Sequence, residues 1–216
     1  MATTHDGLMI GVAILAAGQS RRMGNCKALL DLRGEPVVSA MVRAARSVCG
    51  HIAVISGRHH RWIRRAPGMR GVTVRHNPHH ARGRASSVRT AAEWMQEVGD
   101  ACGSPVGLVL WPVDCPVVSE PTLRALVLEL WRDSTTSVAP ACDGRAGHPL
   151  VLGPGGVAAA LALPDESSLR DTLAERGVAR RLLHMDDAAV LDNIDTPRDY
   201  FALRHRIRAI ARGGVA

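Results

Sequence analysis

The chain of 216 residues is 46% hydrophobic and 22% charged, the make-up of a soluble globular protein with one buried core, and it reads as a single domain spanning residues 1–216. Its net charge is +7, but four tryptophans, one tyrosine and one phenylalanine are too few for base-stacking platforms, and the arginines are spread along the chain. That argues for no nucleic acid partner and for small polyanions such as nucleotides and phosphate esters. No apolar run approaches the ~20 residues that cross a bilayer, so no membrane partner is expected.

The apolar residues 8–17 have no basic leader, which points away from an export signal. Cys26, Cys49, Cys102, Cys115 and Cys142 are widely spaced with no C-x-x-C, a pattern of free thiols in a reducing cytoplasm rather than of disulfides or zinc. Along the chain, MIGVAILA (9–16) reads as a buried strand running into a glycine-containing loop, and residues 36–48 as a helix with Pro36 at its start. Residues 51–56 and 71–76 are further strands. Ser86 and Ser87 are placed to cap a helix running to about Val98. VGLVLW (106–111) is a central strand, and Ser119 opens the helix that follows. Residues 136–152 carry two short β-like runs around Asp143-Gly144, expected as a hairpin or arm leaving the main sheet. Helices at 155–162 and 167–176, strands near 179–184 and 188–192, and an Arg-rich helix from Pro197 complete the pattern. Strands separated by helices predict an α/β fold with a doubly wound, mostly parallel sheet and a small β-hairpin arm.

In such a sheet ligands sit at the carboxyl ends of the strands, and four constellations fall there. The first is residues 15–27, LAAGQSRRMGNCK, which ends on the only lysine of the chain, Lys27. Small residues after a strand let main-chain N–H groups approach phosphate oxygens; the spacing is neither Walker A nor G-x-G-x-x-G, and a plain surface turn gives the same letters. The second is Asp114, in Pro112-Val113-Asp114-Cys115-Pro116, either a Mg²⁺ ligand facing the crevice or a turn cap. The third is Asp195, after which Asp195 or Thr196 also suits the N-cap of the last helix. The fourth joins Asn77-Pro78 to Gly83-Arg84-Ala85-Ser86-Ser87, a loop able to read a base or ribose or simply to cap a helix. His148 is a ligand-side or a turn residue, and His79 and His80 read as solvated.

Together these resemble the MobA-like nucleotidyltransferases, most of all the molybdenum cofactor cytidylyltransferases: L-A-A-G-x-S-x-R-M-G-x-x-K over Leu15 to Lys27, then Asn77-Pro78, Asp114, Gly147-His148-Pro149 and Asp195-Thr196-Pro197, over roughly residues 8–205. The resemblance implies transfer of CMP from CTP to the phosphate of molybdopterin or molybdenum cofactor, with Mg²⁺ as cofactor and a molybdoenzyme as a candidate recipient of the product. It implies that Arg21, Lys27 and Asp114 are catalytic and that Asp114 and Asp195 hold the metal. Nucleotide contacts fall to Leu15, Ala16, Ala17, Gly18, Arg21, Lys27, Asn77, Gly83 and Ser87, and the acceptor contact to His148. Guanylyl-transferring relatives typically have glycine where this chain has Ala17, so CTP is expected over GTP. Two segments depart from the cytidylyltransferase pattern: Cys115 stands where Gln or Met is usual, and Pro164 to Arg170 replaces a Gly-Asp-x-Gly-x-Arg stretch on the acceptor side. A sugar or polyol phosphate as acceptor and a non-catalytic cofactor carrier are the competing readings; a nicotinamide-dependent oxidoreductase lacks its G-x-G-x-x-G.

Overall fold

A computed structural model describes residues 7–211, with side chains as far as Arg208. The first half of the chain forms β1 (Met9–Ala16), β2 (Asp31–Leu32), β3 (Glu35–Pro36), α1 (Val37–Arg46), β4 (His51–Ser56), α2 (His60–Ile63), β5 (Thr73–His76), α3 (Arg84–Cys102) and β6 (Val106–Pro112). The second half forms α4 (Glu120–Arg132), β7 (Ser137–Cys142), β8 (Arg145–Ala146), β9 (Leu150–Leu152), α5 (Pro154–Leu161), α6 (Leu169–Glu175), β10 (Arg180–His184) and α7 (Pro197–Ala211).

β1 explains the layering. Every residue in it is apolar, and successive side chains of a strand point to opposite faces. Ile10, Val12 and Ile14 enter one buried cluster, with Met41 of α1, Leu126 of α4 and Leu203 of α7. Met9 and Ala13 enter the other, with Met95 of α3, Ala159 of α5 and Leu173 of α6. A strand covered on both faces is the interior strand of a doubly wound sheet. The strand order is β10-β7-β9-β6-β1-β4-β5, with β8 attached to β7. β1 pairs in parallel with β4 and β6, β4 with β5, and β7 with β10, while β9 lies antiparallel between β6 and β7. Among the described residues no helix is long and apolar enough to cross a membrane.

The expected hairpin is present, turning at Asp143 (φ 49°) and Gly144 (φ 71°) between β7 and β8, but it grows out of a strand that stays in the main sheet. Three local expectations are corrected. Residues 188–191 are a single 3-10 turn, not a strand, because the Asp187 carboxylate accepts from the Ala189 N–H and closes the chain on itself. The helix expected from Ser86 begins two residues earlier, at Arg84, after Gly83 at φ 112°; the serine hydroxyls are engaged by Asn77 instead of capping. The helix placed at 36–48 covers Val37–Arg46, because Pro36 is extended in the ribbon of β2 and β3.

Candidate active site

The parallel register puts the carboxyl ends of four strands side by side. Leu15 is opposite Pro112, Ala16 opposite Ser56, and Ser56 opposite His76. The chain leaving β1 then folds into a tight loop. Ser20 and Gly24 take left-handed backbone (φ 49° and 68°) on either side of the 3-10 turn Arg21–Met23, and Met23 is buried in the core beneath it. A second such turn, Lys27–Leu29, is pinned by the buried Ala28. The Lys27 N–H donates to the Ser20 hydroxyl at 3.2 Å, so the two halves of the loop are tied together at the lysine.

The side chain of Lys27 is only 13% exposed, and its ammonium lies 2.9 Å from an Asp195 oxygen and 3.9 Å from an Asp114 oxygen. Asp114 follows the end of β6. Asp195 reaches the same point because the Ile194 N–H donates to the Asp114 carbonyl at 2.8 Å, laying residues 192–196 along the strand end. The cap of α7 is Thr196, paired reciprocally with Asp199, whose carboxylate accepts from the N–H groups of Asp195 and Thr196. Asp195 is therefore not spent on capping. The hydrogen bond from Lys27 holds its carboxyl below the usual carboxylate range, with a smaller contribution from Arg22. Two hard carboxylate oxygens on one cation are also a donor set that fits Mg²⁺, with the remaining positions left to phosphate and water.

A cavity of about 400 Å³ opens beside this triad. Leu15, Ala16, Ala17, Gly18, Arg21, Lys27, Gly83, Ser87 and Asp114 are among the residues that line it. Arg21 is exposed, and its Nε donates to the Gln19 side chain at 2.6 Å. Asn77 does not line the cavity. It is 1% exposed, its amide donates to the hydroxyls of Ser86 and Ser87, and its side-chain oxygen accepts from the His79 N–H, so it is a buried clamp holding the 79–87 loop.

His148 lines a second cavity of about 450 Å³ that shares Leu15, Arg84 and Pro112 with the first. Its Nδ1 is buried with no hydrogen-bond partner among the described residues. Burial pushes the imidazole below its ordinary value, and although Asp114 opposes this, Arg84 and Arg180 add to it, so the ring is neutral at pH 7. Arg84, Glu166, Arg170 and Arg180 are the charged residues lining this otherwise largely apolar space.

Three residues were given no site role by the sequence reading. Arg22, the arginine directly before Met23-Gly24, lies 3.7 Å from Asp195. His80 lines the first cavity rather than facing bulk water. Arg180 belongs to an edge strand with no motif to mark it. Cys115 is irrelevant to the cavity: it is fully buried, its thiol pushed up to about 12 by burial, with its Sγ turned to the carbonyls of Ala189 and Val190. The unusual residue at that position therefore changes packing and not the site.

Similarity to known proteins agrees with this geometry. The molybdenum cofactor cytidylyltransferase of Escherichia coli is 25% identical over 202 residues, covering 93% of this chain and 98% of its own. The purine catabolism protein PucB of Bacillus subtilis is 30% identical over 210 residues, covering 91% and 96%. The crystal structure of Rv0371C from Mycobacterium tuberculosis in complex with manganese has a TM-score of 0.70 at 24% identity, covering 91% of this chain and 97% of that one. The MobA-like NTP transferase domain matches residues 12–184, most of the chain. The chain belongs to the MobA-like nucleotidyltransferase family and is a nucleotidyltransferase.

Proposed function

We propose that the protein transfers CMP from CTP to the phosphate of molybdopterin or molybdenum cofactor and releases pyrophosphate. The observation that carries this reading is the Lys27 ammonium held between Asp114 and Asp195, with Lys27 and Asp114 lining a cavity beside the loop that follows β1. In the reaction an oxygen of the acceptor phosphate forms a bond to the α-phosphorus while the bond to the departing pyrophosphate breaks. Negative charge builds on the phosphate oxygens, and catalysis consists of positioning and of cations already in place. Lys27 and Arg21 meet the triphosphate. Asp114 and Asp195 would hold Mg²⁺, which when bound supplies charge neutralisation at the phosphates. Leu15 to Gly18, Gly83 and Ser87 border the base and ribose, and Asn77 keeps that loop in place.

The second cavity suits the acceptor. Leu110, Leu150, Leu163 and Leu173 give it walls for a flat or apolar body, and Arg84, Arg170 and Arg180 give it cationic anchors for an anionic one, with Glu166, Ser167 and Ser168 also on its lining. The similarity to the Escherichia coli cytidylyltransferase supports the same acceptor, and five free cysteines fit a reducing cytoplasm.

The test is pyrophosphate release from each of the four NTPs with Mg²⁺, with and without molybdopterin, and mass spectrometry of the product. Release from CTP only when molybdopterin is present is the expected result. Preference for GTP overturns the nucleotide assignment. Release with sugar or polyol phosphates but not molybdopterin overturns the acceptor assignment, and binding of cofactor with no release under any condition favours a carrier.

A further inference from the structure

The first cavity contains a polar side chain that the chemistry above does not use. His80 opens the 3-10 turn His80–Arg82, next to the loop that leaves β1. Its ring is wedged against Gly57, where a Cβ would come within 2.7 Å of the His80 Cγ and 2.7 Å of the Ala17 carbonyl oxygen. His80 is thus fixed close to Ala17, and both line the first cavity.

Its tautomer is fixed as well. Nδ1 lies 3.1 Å from the main-chain carbonyl oxygen of Asn77. A carbonyl oxygen can only accept, so Nδ1 carries the hydrogen, and in the neutral ring Nε2 is left as a bare acceptor. That carbonyl cannot easily turn away, because the Asn77 side chain is buried and held by Ser86, Ser87 and the His79 N–H. Nε2 has no protein partner among the described residues.

We infer that His80 reads the base: resting on the nucleotidyl-transfer reading above, its Nε2 accepts a hydrogen bond from an exocyclic amine, so the cavity favours cytosine over uracil. Cytosine presents an amine where uracil presents a carbonyl oxygen. Against uracil two acceptors face each other, and the neutral ring can relieve this only by moving its hydrogen to Nε2 and giving up the bond to Asn77, or by taking up a proton from solvent. The discrimination comes as much from that penalty as from the bond gained with cytosine. Adenine and guanine also carry amines, so polarity and size are separate filters here. His80 supplies the first, and the wall at Ala17 supplies the second.

The experiment compares CTP, UTP and the triphosphate of 2-pyrimidinone riboside, which lacks any 4-substituent, by isothermal titration calorimetry on the wild-type protein and on His80→Phe. Phe keeps a ring against Gly57 and removes both nitrogens. Wild type should bind CTP about tenfold or more tightly than the other two, the scale of one partly exposed hydrogen bond. In His80→Phe all three should fall within about threefold of one another. Retention of the wild-type preference in that variant overturns the assignment. Equal binding of CTP and the pyrimidinone nucleotide by wild type overturns it too, and this arm needs no variant to fold. Equal binding of CTP and UTP removes only the role of His80, whereas failure of every triphosphate to bind removes the nucleotidyl-transfer reading itself.

Discussion

Replacing Lys27 by arginine conserves charge and tests geometry alone. The ammonium is almost out of solvent, 2.9 Å from Asp195 and 3.9 Å from Asp114, at a turn whose N–H is tied to Ser20. A guanidinium is broader, planar and suited to bidentate contact with one carboxylate. In this space it would lock onto Asp195 and reach the phosphates off centre, where a compact ammonium can leave the carboxylates and sit among three phosphate oxygens. Losing one preorganised charge contact costs on the order of 10²-fold in turnover, equivalent to about 2.7 kcal/mol of transition-state stabilisation at 1.36 kcal/mol per tenfold. The fold should be nearly indifferent, since the carboxylates keep a cationic partner; a change of about 1 kcal/mol or less corresponds to roughly 2–4 °C in melting temperature for a chain of this size. The assay is pyrophosphate release from CTP with Mg²⁺ and acceptor, beside a thermal melt of the same preparation. Turnover within threefold of wild type, with a normal melt, would refute the reasoning and reduce Lys27 to a bearer of charge.

Asp114→Asn should abolish turnover, by about 10²-fold or more, with circular dichroism and melting temperature close to wild type, because the carboxylate is at a strand end and not in the core. Lys27→Met removes the largest cause of the depressed Asp195 carboxyl, so an NMR titration should find that group displaced upward toward the ordinary carboxylate range. Asn77→Ala strips the buried clamp from Ser86, Ser87 and His79; it should cost about 1–3 kcal/mol of stability and raise the KM for CTP more than it lowers kcat, since the clamp positions a loop and touches no phosphate. Asp187→Ala should cost about 1.5–3 kcal/mol at pH 7. Burial raises the Asp187 carboxyl, but hydrogen bonds from Thr122, Ser119 and Ala189 outweigh it and leave the group depressed. The stability it supplies is therefore present above the unfolded value of about 3.9 and lost as pH falls through the folded one, so wild type and variant should converge in urea titrations at low pH.

The local order of this protein is written in its sequence. Apolar runs at 9–16, 51–56 and 106–111 gave interior strands because a two-face-buried strand has no polar alternation to confuse. The small residues from Ala16 to Gly18 and the lysine at 27 marked the loop, and Ser119 marked its helix, because turn and cap chemistry act within a few residues. Tertiary structure alone decided the rest. Asp114 and Asp195 meet because Ile194 hydrogen-bonds across to the Asp114 carbonyl, a contact between segments far apart in the chain. Asn77 became a clamp and His80 a cavity residue, although the letters favoured the reverse, because a buried polar group takes whatever partners packing brings and only coordinates show which those are. The same holds for residues 188–191, whose strand-like letters close into a turn on the Asp187 carboxylate, and for the arginines that α6 and β10 bring to the second cavity. Periodicity and capping are short-range and can be read off a line of text; hydrogen-bond partners and cavity walls are set by segments that only the folded sheet brings together.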